Sequence, residues 1–155
     1  MTISIRKRSI VPRMALQAVQ LDPLLPQAHA QLAAVLTVKG EHDAAVAALE
    51  RASELNPNFV DWSFAVTLAC AGQSARAIEI GRTYMRLDPF YPSFAAYHFG
   101  VAHYLAKDYP GACRLLREHV SRTPNSRPGH CLLAATYALL RQTDLAQAHA
   151  LGYKD

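Results

Sequence analysis

Residues 87–124 read LDPFYPSFAAYHFGVAHYLAKDYPGACRLLREHVSRTP, and this stretch decides the fold. It opens on Leu87-Asp88-Pro89, a helix stop. Proline supplies no backbone N–H and pushes the residue before it out of the α region. It closes on the same signal, Arg122-Thr123-Pro124. Between the stops lie two apolar-striped segments, 92–106 and Tyr109–Arg122, with a turn at Lys107-Asp108. Phe99, Gly100 and His103 mark one face of the first, and Ala112, Leu116 and Val120 one face of the second. That is the three-four spacing of amphipathic helices.

The same stop occurs upstream as Leu21-Asp22-Pro23 and Leu55-Asn56-Pro57. The period is about 34 residues, which is the signature of a helical repeat array. A small residue follows each proline at a near-constant offset, as Ala45, Ala77, Ala112 and Ala146. Small side chains there let two helices cross closely. Each period is too short to bury a core of its own, so neighbouring units must stack into a solenoid.

The units read as about 26–57, 58–89, 92–124 and 127–155, the last incomplete. Their helices are expected over Pro26–Lys39 and His42–Leu55, 58–71 and Ser74–Leu87, 92–106 and Tyr109–Arg122, then 127–140 and a segment from Thr143. Gly40 and Gly72 suit the left-handed caps of the first two turns. Lys107 and Arg141 stand at the corresponding turns, where they need another cap or accept strain. A further helix is expected from about Pro12 to Leu21, after a basic, flexible leader over 1–11 that includes Arg6, Lys7 and Arg8.

This arrangement resembles the tetratricopeptide repeat family over roughly residues 15–150. The marks are the alanine at the crossing, the Asp/Asn-Pro stop and large apolar residues at Leu32, Phe64, Phe99 and Leu133. The family's early tryptophan is replaced by His29, Asp61, Ala96 and His130. The resemblance implies an all-α, right-handed superhelical solenoid of antiparallel helix pairs whose first helices line a concave groove. A narrower resemblance runs through Leu87–Pro92, 99–104 and 133–137. It is to tetratricopeptide regions that follow class III adenylate cyclase or transcription-regulator domains in bacteria. It implies, as an alternative function, a detached regulatory tail of a signalling protein.

On the groove, three-four spacing offers Phe59, Trp62, Val66 and Ala69 from the second unit. The third offers Phe94, Tyr97, Val101 and Tyr104, and the first Gln27, Ala30, Ala34 and Thr37. An aromatic stripe at mid-array suits a protein or peptide ligand, because rings bury much area at little entropic cost. The lysine-asparagine clamp by which chaperone-binding relatives grip a C-terminal carboxylate is not apparent, so apolar and aromatic contacts would hold the ligand. The C-terminal end lacks a polar cap, and Tyr137, Leu140 and Leu145 are expected to be partly uncovered. Self-association through that end, or dependence on a partner that covers it, is expected.

The function expected is a non-catalytic interaction module. There is no glycine-rich phosphate loop, HExxH or GxSxG, and no acid/base pair stands out. A small helical enzyme or metal protein is the remaining alternative. His98 and His103 do not share a helical face, and His130 and Cys131 diverge, so neither metal nor cofactor is expected. A net charge of +4 falls short of a nucleic-acid footprint. Apolar runs are too short to cross a bilayer. Cys70, Cys113 and Cys131 form no CxxC and read as small core residues in a reducing, cytoplasmic compartment.

Overall fold

The computed structural model describes the backbone of residues 3–151 and the side chains of residues 12–150. The elements are α1 (Ile3–Leu21), α2 (Pro26–Lys39), α3 (His42–Leu55), α4 (Ser63–Cys70), α5 (Ser74–Leu87), α6 (Ser93–Leu105), α7 (Tyr109–Arg122), α8 (Arg127–Leu139) and α9 (Thr143–Leu151). No strand occurs among the described residues. Each helix packs on the next, and α2, α4, α6 and α8 also touch in succession. The backbones of α3, α5, α7 and α9 make no such close approach to one another. Even-numbered helices therefore form the tighter, inner layer and odd-numbered ones the wider, outer layer of a helical solenoid.

The proline stops work through the residue before them. Asp22 accepts the Leu24 N–H at 3.1 Å, Asn56 that of Asn58 at 3.0 Å and Asp88 that of Phe90 at 3.1 Å. The side chain thus satisfies a donor that the ended helix leaves bare. The four turns within units share one geometry. At each, the left-handed residue and its successor donate back into the helix just ended, as with Gly40 N–H to Thr37 O and Glu41 N–H to Leu36 O, both 3.0 Å. Of the two alternatives open to Lys107 and Arg141, another cap or strain, the second holds. They adopt the glycine conformation, with φ of 61° and 58° against 80° at Gly40 and 78° at Gly72.

Ala45, Ala77 and Ala112 are buried at the helix crossings, whereas Ala146 is half-buried. The larger core runs from Ala30 through Phe64, Leu68 and Phe99 to Leu115, spanning three units. A smaller one, Ala112, Leu116, Leu133 and Tyr137, closes the C-terminal end.

Several expectations are corrected. Helix α4 starts at Ser63, not near residue 58, because Asp61 accepts the Ser63 N–H at 2.8 Å and fixes the start there. Helix α1 starts at Ile3 and carries Pro12 inside it, where the sequence suggested a leader and a start near Pro12. The side chains of 1–11 lie outside the described residues. Tyr137 is buried rather than uncovered, Leu140 is half-buried, and Leu145 is exposed as expected. Of the cysteines expected in the core, Cys113 packs half-buried against the smaller one, Cys70 is half-buried and Cys131 is exposed.

Candidate functional site

The inner layer carries the aromatic residues that sequence spacing singled out, but only some of them come together. Trp62 stands at the start of α4 and meets Phe94 of α6 edge-on, with ring centroids 5.0 Å apart. His98 lies one turn beyond Phe94 and sits 4.4 Å from the Trp62 ring. Tyr97 meets His98 edge-on at 5.4 Å and leans on buried His119 at 5.3 Å. Trp62, Phe94, Tyr97 and His98 are thus one cluster bridging two units. Phe94 is 45% exposed, and the other three are half-buried. Such partly exposed aromatic groups, backed by packed rings, are rigid and ready to bury more area.

The other candidates lie elsewhere. Phe59 precedes α4, so it leaves the helical register assumed for it and packs edge-on against buried Phe64 at 5.8 Å, bracing the core. Tyr104, at the far end of α6, meets Tyr109 at 5.8 Å, away from the cluster. Val66 and Val101 are half-buried on α4 and α6. In the first unit Ala30 is buried in the core, as is Ala69 of the second. Thr37 bonds the Thr67 hydroxyl at 2.9 Å and so ties α2 to α4.

His98 was missed, although Phe94, His98 and Val101 share a face at three-four spacing. Its Nδ1–H donates to the Phe94 carbonyl at 2.8 Å, which orients Nε2 as an acceptor. Burial pushes the His98 imidazole below its ordinary value, against the opposing effect of that carbonyl. The group is therefore neutral at neutral pH, an uncharged acceptor among rings.

Of the remaining histidines, His29, His103, His119, His130 and His149 are structural ties. His29 and His130, standing where the tryptophan was expected, donate from Nε2 to the Pro23 and Pro124 carbonyls at 2.9 and 2.8 Å. Each pins its helix to the stop before it. His119 donates from Nδ1 to the Ser93 carbonyl at 2.9 Å and accepts at Nε2 from Ser126 at 2.7 Å, joining α6, α7 and α8. Buried His103 bonds Asp108 at 2.7 Å. That bond is the main cause holding the Asp108 carboxyl below its usual range. Among the described residues no three His, Cys, Asp or Glu side chains gather as a metal site. No helix there is long and apolar enough to cross a membrane.

No family model matches the sequence, and no curated protein matches it. Solved structures do. MamA 41-end from Desulfovibrio magneticus RS-1 superposes with a TM-score of 0.74 at 16% identity, over 96% of this chain and 86% of that one. A second MamA crystal structure gives 0.68 at 16% identity, over 96% and 91%. A chain of the APC/C hetero-tetramer Cut9-Hcn1 gives 0.75 at 20% identity, over 96% of this chain but 30% of the other. At such identities the likeness shows the fold, a tetratricopeptide-like helical solenoid.

Proposed function

We propose that this chain is a non-catalytic protein-interaction module that seats an extended or helical segment of a partner on its inner layer. The observation that carries the reading is the Trp62–Phe94–His98–Tyr97 cluster, which joins two units and leaves ring surface open. Ring faces would take the partner's apolar side chains, and His98 Nε2 would accept one hydrogen bond. Val66, Val101 and Tyr104 would extend the wall along α4 and α6.

Selection of binders from a random peptide display tests this. Winners should bind Phe94→Ala and Trp62→Ala at least about tenfold more weakly, while Phe90→Ala, altering a ring 92% exposed on the α5–α6 loop, has no effect. Equal binding to all three variants would remove the groove from the proposal. Self-association at the C-terminal end rests on Leu139 and Leu145, 49% and 46% exposed. It requires a mean mass in light scattering that rises with concentration and falls back in Leu139→Gln. A constant monomer mass would end that part of the proposal.

A further inference from the structure

The outer layer holds a second site that the groove does not involve. The backbones of α7 and α9 stay apart, and a cleft of about 680 Å³ opens between them over the end of α8. One wall presents Arg114 and Arg117, the other Leu145, and the floor Tyr137 and Leu140. Neither arginine makes an ion pair or hydrogen bond among the described residues. The cleft's carboxylate, Glu118, is already engaged: it accepts the Tyr91 hydroxyl at 2.8 and 2.9 Å and pairs with Arg122 at 3.2 Å.

The repeat supplies an internal control. Counted from the left-handed turn residues, Arg117 occupies in α7 the place of Glu50 in α3, and Leu145 occupies in α9 the place of Arg76 in α5. Glu50 and Arg76 meet at 3.4 Å and bridge their two outer helices. At α7 and α9 the acid of that bridge is an arginine and its arginine is a leucine. The bridge cannot form, and the position is left with an unpaired cation facing an exposed aliphatic side chain.

We propose that the α7–α9 cleft binds an acidic–aliphatic segment of a partner protein. A carboxylate would sit between Arg114 and Arg117, supplying the charge that Glu50 supplies in the first unit. The neighbouring aliphatic side chain would lie on Tyr137, Leu140 and Leu145. This site faces away from the inner layer, so it serves a different contact from the aromatic groove.

Fluorescence anisotropy with the full chain tests it. The probe is a labelled peptide of alternating glutamate and leucine, compared with a twin carrying glutamine for every glutamate. The acidic peptide should bind at least about tenfold more tightly than its twin. The double change Arg117→Glu with Leu145→Arg rebuilds the bridge of the first two units. It should abolish binding with circular dichroism and melting preserved, and Arg117→Gln alone should weaken binding about tenfold. Phe94→Ala should leave binding unchanged, which separates this site from the groove. Equal affinity for the twin, undiminished binding by the bridged variant, absence of binding by the unaltered protein, or loss in Phe94→Ala would each overturn the proposal.

Discussion

The first two units and the last two share one backbone plan but hold it differently. In the first pair the turns use Gly40 and Gly72, the core is a continuous run of alanine, leucine and phenylalanine, and Glu50–Arg76 bridges the outer helices. In the last pair the turns use Lys107 and Arg141, the larger core reaches only into the third unit, the cluster beyond it is small, and histidines make the joints. Apolar burial is non-directional and tolerates change, whereas a hydrogen-bonded joint fails when one partner is lost. The N-terminal half is thus a scaffold. The C-terminal half carries the polar, less enclosed features on which the proposed second site rests.

The largest expected break is in the first half. Phe64→Ala removes a ring 2% exposed at the centre of the larger core and should cost about 3–5 kcal/mol in urea denaturation. A loss under about 1 kcal/mol would mean that this core does not carry the fold. In the second half, His119→Ala deletes the bonds to Ser93 and Ser126 and should cost about 1–3 kcal/mol. Amide exchange should then rise first where α6, α7 and α8 meet. Uniform acceleration along the chain would show that the joint is not local.

Much of this was legible in the sequence, for a physical reason. Stops, turns and crossings are set by residues close in the chain: Asp88 caps a donor two residues on, and Ala112 needs only its own smallness. Contacts between units were not legible. His119 bonds Ser93 and Ser126 across separations that no local spacing marks. The start of α4 turned on which polar residue captured the first free N–H, and Asp61 took that part although Asn58 stood earlier. Phe59 followed the wrong register for that reason. In the sequence His98 reads only as a candidate metal ligand, a question its pairing with Trp62 does not concern.

The turns offer a smaller test of the same contrast. A left-handed conformation costs a residue with a Cβ about 1–2 kcal/mol, partly offset by glycine's greater freedom when unfolded. Arg141→Gly and Lys107→Gly should each stabilise by up to about 1 kcal/mol, and Gly40→Ala should destabilise by a similar amount. Nothing crowds a Cβ at Gly40, so its backbone angle is the whole cause. Glycine substitutions that destabilise would contradict the reading of these turns as strained.

The smallest expected effect is on pH. His149 donates from Nδ1 to His130 at 2.9 Å and stacks on Tyr137, holding α9 to α8. Burial, then the charges of His130 and Arg117, lower its pKa. Because the folded value lies below the ordinary 6.5, stability from the neutral form is present above about 6.5 and lost as pH falls through the lowered value. Protection factors of α9 amides should fall as the pH drops below about 6.5, and His149→Leu should flatten that change.

Trp62 is the single tryptophan of the chain, and it sits within the ring cluster on the inner layer. Its emission therefore reports directly whether a selected peptide occupies the groove. Titration with such a peptide should move the emission to shorter wavelength, as the indole loses water, and the shift should saturate with the affinity measured by anisotropy. Saturating peptide binding with Trp62 emission unchanged would contradict the placement of the interaction site on the inner layer.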